Sequence, residues 1–323
     1  MTGLPAAPRA QRVASYTLAA ALLVVTLAAA RSAGAGTTTG FSFLELPAGA
    51  RIAALGGAGT ALTDGPAALF SNPAGLADTG AVAGSRGRVA FDHHESIQKF
   101  RQEIVGGVLR KGGDGIGLGL NAHYTEGIQE RDALGNLLGT FGADDLAIAF
   151  GYAATAAPGL RLGGALQWAH EDLGASGASA IGISAGGLYA LPGRAGLTLG
   201  ASVRNLGASP SFKTLDGATG AKVPQPLTLS AGAAVGGLAG HLRWQAAADL
   251  VKLKGDSLEG RLGLEVLPAS ALALRAGWML GQDAANLTAG AGIAVGRFDV
   301  DYAFVPYHDN LGSSHRIALG ARL

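Results

Sequence analysis

Hydrophobic and polar residues alternate along most of the chain with a period of two. Between 160 and 171, Leu160, Leu162, Leu166 and Trp168 share one parity, and Arg161, Gln167 and Glu171 share the other. Between 242 and 250, Leu242, Trp244 and Leu250 oppose Arg243, Gln245 and Asp249. Leu258, Leu262, Leu264 and Val266 oppose Glu259, Arg261 and Glu265, and Phe298, Val300, Tyr302 and Phe304 oppose Asp299 and Asp301. Leu272, Leu274 and Trp278 oppose Arg275, Ile317 and Leu319 oppose Arg316, and Ile116, Leu118 and Leu120 oppose Asn121 and His123. A strand sends successive side chains to opposite faces, so each run has one apolar and one polar side. The pattern predicts about fourteen strands, an even number as in bacterial single-chain barrels. Their ranges are 81–92, 101–111, 115–126, 144–155, 159–170, 179–190, 195–206, 227–236, 240–251, 257–267, 271–281, 286–295, 297–305 and 314–323.

These runs are longer than the five or six residues of an average globular strand, and they match the roughly 9–11 that cross a bilayer at a tilt. A basic residue facing lipid near the midplane costs about 2–4 kcal/mol, which explains why charges keep one parity within a strand. The links alternate between short (112–114, 156–158, 191–194, 237–239, 268–270 and around Gly296) and long (93–100, 127–143, 171–178, 207–226, 252–256, 282–285 and 306–313). Tight periplasmic turns and longer external loops produce that asymmetry. The expected fold class is all-β, a transmembrane antiparallel β-barrel whose two ends lie on the periplasmic side, with residues 36–80 also starting there.

Composition agrees. The chain has 323 residues, is 48% hydrophobic and only 15% charged, where a soluble chain carries about a quarter charged residues. No apolar run after residue 35 is long enough for a membrane helix, so strands must do the crossing. A formal charge of +1 offers no general field for nucleic acid, and the absence of cysteine removes disulfides, thiolate metal sites and thiol catalysis. Arg9 and Arg12, the apolar run Tyr16–Ala30 and the small-residue site Ala33-Gly34-Ala35 form a secretory leader, 1–35. Its removal takes Arg9, Arg12 and Arg31 and changes +1 to −2.

Residues 36–80 do not alternate. Ala50 to Leu62 reads as a small-residue helix broken at Gly56-Gly57, and Pro66 to Phe70 as a second short helix with Asp64 at its cap. The segment is too short for a domain and fits a plug within, or beneath, the barrel 81–323. The stretch 41–77, through LPAGAR (46–51), LGGAGTAL (55–62) and SNPAGL (71–76), resembles the start of PorV/PorQ family outer-membrane proteins. DYAF (301–304) and SSHRIALG (313–320) are similar to that family's last two strands, although the chain ends in Leu323 where such barrels usually end in an aromatic residue. The resemblance, which extends to the related FadL-type transporters of long-chain fatty acids and other hydrophobic compounds, implies a 14-stranded barrel with an N-terminal hatch. Within it Asn72, Pro73, Ala74 and Gly75 match the hatch motif.

Chemistry-bearing motifs are few. Gly182-Ile183-Ser184-Ala185-Gly186 has the spacing of a nucleophile elbow, but an elbow needs a strand, a sharp turn and a helix, and here strand alternation continues through it. His93, His94, His170 and His308 fall at external loop ends, where a metal or ligand rim competes with plain solvated loops. The inward charges Arg161, Arg243, Asp249, Glu259, Arg261, Glu265, Arg275, Asp299, Asp301 and Arg316 form either a binding or gating network or cross-strand pairs that satisfy a polar interior. The expectation is a non-enzymatic outer-membrane barrel, without cofactor or metal, that binds or passes hydrophobic small molecules. The alternatives are a secretion or surface-attachment component of the PorV kind, with secretion-system proteins as partners, and an outer-membrane esterase or phospholipase.

Overall fold

The structure, a computed structural model, describes residues 39–63, 65–77, 85–192, 196–269, 271–282 and 284–323. The expected leader, the capping Asp64 and the first expected strand positions, 81–84, lie outside these. Among the described residues no helix is long and apolar enough to cross a membrane.

Sixteen strands follow in chain order: β1 (Gly87–Glu95), β2 (Arg101–Lys111), β3 (Asp114–Arg131), β4 (Leu137–Ala157), β5 (Leu160–Asp172), β6 (Ser176–Ala190), β7 (Thr198–Gly207), β8 (Ser211–Thr214), β9 (Thr219–Lys222), β10 (Thr228–Ala239), β11 (Leu242–Leu253), β12 (Leu258–Ala269), β13 (Leu272–Leu280), β14 (Leu287–Val295), β15 (Phe298–Pro306) and β16 (Ser313–Arg322). β8 and β9 are a small hairpin inside the link 208–227. The other fourteen close into an antiparallel barrel, with β7 pairing β10 past that hairpin and β16 pairing β1. Closure leaves no free edge, which is what a sheet needs in a medium that cannot hydrogen-bond it.

The parity reading gives the wall directly. Leu118, Ile183, Leu262, Trp278 and Val300 stand exposed on the outside, and the same is true of Phe150, Leu166, Ile293 and Leu319. Together they form an apolar band far larger than any patch a soluble monomer carries. Residues of the opposite parity, among them Gln102, Asn121, Gln167, Asp249 and Glu265, are buried.

The links differ from expectation at two places. Residues 127–143 and 171–178 are mostly strand: β3 and β4 continue as a paired hairpin to a turn at 132–136, and β5 and β6 join through 173–175. Continued pairing satisfies each strand's backbone groups where the barrel no longer flanks them. A bulge between Thr125 and Ile128 absorbs the register, with Gly127 at φ 75°. Asp132 closes the tip, accepting from the amides of Leu134 and Asn136 at 2.9 and 2.8 Å.

Residues 39–63 and 65–77 lie within the barrel. The expected helix 50–62 is only α1 (Ala50–Ala54); Gly56 and Gly57 then take φ 66° and 78°, and the Gly57 amide closes back on the Ile52 carbonyl at 2.9 Å. Short 3₁₀ turns follow at Gly65–Phe70 and Pro73–Ala77. The side from which the segment starts is corrected. The Gly40 amide donates to the Pro224 carbonyl at 3.1 Å, and Pro224 belongs to the link 208–227 at the long-link end. From there the segment descends to Leu76, whose carbonyl receives Arg110 Nε near the short link 112–113 (3.1 Å). Parity within the barrel fixed where both its ends lie, but it carried no information about a segment that does not alternate.

Candidate binding cavity

The wall makes room for the segment by omitting side chains. A Cβ at Gly263 would sit 2.8 Å from Leu55, and one at Gly117 would sit 2.8 Å from the Leu76 side chain. At Gly277 and Gly186 it would overlap the Gly56 amide and the Asn72 side chain outright. Inward glycine therefore sets the depth to which a second layer of chain packs against the sheet. Apolar side chains fill the contacts so created: Leu69, Phe70 and Leu76 against Ala149 and Ala153, and Phe41, Phe43 and Leu44 against Ala147, Ala169 and Ala180.

Polar tethers fix the segment along its length. Phe41 N donates to Glu171 Oε2 at 2.6 Å, and Arg316 donates to the Pro47 carbonyl. Arg51 grips both carboxylate oxygens of Glu265 through Nε and Nη2 at 3.0 and 2.9 Å, with Gln245 as a further acceptor at 3.2 Å. Thr288 Oγ1 accepts from Gly56 N and donates to the Ala54 carbonyl. Thr60 N donates to Asp249 Oδ2 at 2.8 Å, and Arg204 Nη1 donates to the Phe70 carbonyl at 2.7 Å. Asn72, wholly buried, donates through Nδ2 to the carbonyls of Thr60 (2.8 Å) and Gly187 (3.2 Å) and accepts from Ala74 N at 3.2 Å. Pro73, Ala74 and Gly75 are buried with it, next to Gly163 and Thr63.

The inward charges take several arrangements. Glu265 and Arg275 face each other across β12 and β13 and bond at 2.6 Å. Arg275 also reaches Asp301 at 2.6 Å, and Arg88 reaches Asp299. Both of these pairs pass over an intervening strand, and they do so across Gly292 and Gly320, whose missing side chains leave the path open. Glu259 and Arg261 pair within one strand at 2.8 Å. Asp249 stands opposite Arg261 in register but bonds the segment instead. Arg316 collects His94 (2.9 Å), Gln102 (3.0 Å) and Asp92 (3.5 Å). Arg161 lies near the short-link end of β5 and Arg243 is exposed at the short-link rim of β11.

Above residues 42–57 and below the long links is a cavity of about 480 Å³. Its apolar lining includes Phe43, Leu46, Pro47, Phe100, Val251, Leu253, Met279 and Val305, and its polar lining includes Glu45, Arg204, Glu259, Arg261 and Arg316. Phe100 stacks on the His123 ring at 5.4 Å and 7°, and Phe43 lies nearly parallel to the same ring at 6.4 Å. Asp145 Oδ2 holds His123 Nδ1 at 3.0 Å. Burial raises the pKa of Glu45 above its ordinary 4.5, against the pull of the Thr39 hydroxyl at 3.1 Å. A smaller chamber of about 70 Å³ lies lower, between the segment and β1, β2 and β16.

Of the charges singled out in the sequence, Glu259, Arg261 and Arg316 line the larger cavity. Glu45, Arg204, Phe43, Phe100 and Arg51 were not singled out. Arg204 carried a signal, as the one basic residue in 195–206, and Arg51 stands inside LPAGAR. Ser184 lies in unbroken β6 and bonds Asn205 N at 3.3 Å, so residues 182–186 do not form an elbow. The histidines do not converge: His93 meets Glu103 (2.7 Å) and His170 meets Ser179 (2.9 Å). Among the described residues no three His, Cys, Asp or Glu side chains form a metal-holding group.

A closed fourteen-stranded antiparallel barrel, apolar outside, with its N-terminal segment folded into the lumen, defines the class as the FadL-like outer-membrane barrel fold. Solved structures carry the same fold. The P. putida toluene transporter TodX matches with a TM-score of 0.60 at 14% identity, covering 85% of this chain and 98% of its own. The CymD monoaromatic hydrocarbon channel matches with 0.59 at 13% identity, covering 88% and 98%. The chain itself belongs to the uncharacterised protein family UPF0164, whose profile matches residues 19–205. No curated protein sequence matches it.

Proposed function

We propose that the protein resides in the bacterial outer membrane and takes up a hydrophobic small molecule in the 480 Å³ cavity, with residues 36–80 as the hatch beneath it. The observation that carries this reading is the position of the cavity. It is bounded above by the long links and below by a buried, tethered stretch of chain, so a ligand entering from outside meets a floor. The volume suits a small molecule, and pockets of this size commonly combine an apolar lining with a few placed polar groups. That the TodX and CymD structures are named as aromatic-hydrocarbon channels supports the reading. Passage onward would require the segment to yield, and the tethers at Arg51, Thr60 and Asn72 are the contacts that would have to break.

Binding of radiolabelled toluene and of a labelled long-chain fatty acid to purified protein tests this. Met279→Trp, which fills the cavity from β13, should lower binding of whichever probe is retained by at least tenfold. Binding no greater than to detergent alone, for both probes, would sink the proposal.

A further inference from the structure

The register of the wall sets a level for the long-link edge of the apolar band. Phe91, Val105, Leu120, Ile148, Trp168 and Ile181 stand directly opposite one another from β1 to β6, and all are exposed on the outside. Nearer the long links, the same outward parity carries Glu95, Arg101, Tyr124, Asp144 and Asp172, again in one row. Paired residues of a ladder share a face, so this second row looks outward above the band. Glu103, opposite His93, lies between the two rows. Over β1–β5 the outward rim therefore sets the carboxylates Glu95, Glu103, Asp144 and Asp172 against the guanidinium of Arg101.

The opposite charge gathers over β6–β11. β7 pairs with β6 only as far as Gly182, and β8 takes its place beside Gly177. Gly177 faces Asp172 on one side and Lys213 on the other, so Lys213 continues the outward row. β9 pairs with the far side of β8 and sets Lys222 opposite Ser211, on the same face. On β11 the outward residues Ala248 and Leu250 are followed by Lys252 and, just past the strand, by Lys254. Lys252 stands about 7 Å along the strand from Leu250, which is half exposed on the outside. None of these four ammonium groups forms an ion pair among the described residues. The acids between them are held in their own turns. Asp216 accepts from the Thr214 hydroxyl and the Ala218 amide, and the backbone carbonyl of Asp256 receives Lys252.

We propose that Lys213, Lys222, Lys252 and Lys254 bind the phosphate groups of an outer-leaflet lipid whose acyl chains lie on the apolar wall below. Charge complementarity selects this occupant. Lysines clustered at the edge of a lipid-facing surface attract anionic headgroups, and the carboxylates over β1–β5 repel them, so the lipid is drawn to one sector of the rim. An ammonium group is a compact charge that a phosphate satisfies without a fixed fork geometry, which suits lysines carried on a hairpin and on a separate strand. The adjoining wall, with Leu206 and Leu250 exposed, favours a lipid over a free anion, because a soluble phosphate gains nothing from apolar surface. The inference rests on the outer-membrane reading proposed above, with the long links on the outer side.

The test uses the full-length protein in nonionic detergent, with fluorescent diphosphorylated lipid A as the probe and its phosphate-free form as the comparison. The parent should bind the phosphorylated probe about tenfold more tightly or better, and the preference should shrink as salt is raised. Lys213→Gln, Lys222→Gln, Lys252→Gln and Lys254→Gln combined should abolish the preference, while Arg101→Gln keeps it; heat-dependent gel mobility confirms that each variant has folded. A folded quadruple variant that retains the preference overturns the inference. So does inorganic phosphate that displaces the probe as effectively as unlabelled lipid A. Orientation is read separately, with a membrane-impermeant amine reagent on intact cells, which should modify Lys213 and Lys222. Modification only after permeabilisation would refute the outer placement of the long links, and the outer-leaflet lipid with it. A retained preference in the quadruple variant, with modification on intact cells, sinks the lipid site alone.

Discussion

Asn72 offers the sharpest test of how the luminal segment is held. Its side chain is fully buried and makes three hydrogen bonds, to Thr60 O, Gly187 O and Ala74 N. The side chain reaches β6 because Gly186 has no Cβ there. Thr60, held by Asn72 through its carbonyl, is held by Asp249 through its amide, so one polar link runs from β6 across the segment to β11. Asn72→Leu keeps the approximate volume and removes every donor and acceptor. Gly187 stands in the β5–β6 ladder, but Thr60 O and Ala74 N lose their side-chain partner in a site closed to water. A stranded buried group costs about 1–3 kcal/mol, so the pair costs roughly 2–6 kcal/mol. The cost falls on the segment and not on the wall, whose ladders do not involve Asn72, so the result should be local detachment rather than global unfolding. At about 3 kcal/mol, detachment becomes on the order of 100-fold more frequent, since 1.4 kcal/mol is a factor of ten. Arg51 is the reporter, because trypsin can cut there only when the segment leaves its grip on Glu265. Cleavage after Arg51 should accelerate tenfold or more in Asn72→Leu, while the heat-dependent gel mobility of the barrel stays as in the parent. If Arg51 is cut at the parental rate in a folded variant, the reasoning is wrong.

The glycine lining makes a second prediction: Gly277→Leu, which collides with the Gly56 backbone, should either expel the segment or prevent folding. Gly237→Ala, whose nearest neighbours are ring atoms of Trp244 at 3.4 Å, an ordinary contact, should leave mobility and trypsin resistance unchanged. Glu45 gives a pH dependence. Its pKa is raised in the folded state, so its contribution to stability is complete below about 4.5 and is lost as pH rises through the raised value. Glu45→Gln should therefore match the parent near pH 4 and resist trypsin at Arg51 better than the parent at pH 8; equal protection at both pH values would refute this.

Much of the wall was legible from the chain alone. A strand buries or exposes by parity, and lipid penalises charge on one parity heavily, so Leu118, Leu262 and Trp278 announced the outside and Asn121, Asp249 and Glu265 the inside. That is a local rule, and it located all fourteen wall strands, with β2 at the expected bounds. The lumen obeys no local rule. Whether Asp249 meets Arg261 opposite it or Thr60 far away in sequence depends on what else occupies the interior. The span of Arg275 to Asp301 depends on Gly292 standing empty between them. Residues 39–77 have no period to read, and their direction of travel follows from contacts with Pro224, Glu171 and Arg110, each far off in the chain. The sequence determined the barrel, because membrane strands are specified by neighbours two residues apart. Only the tertiary structure decided the path of the segment and the cavity above it, because those rest on contacts between residues that parity cannot relate.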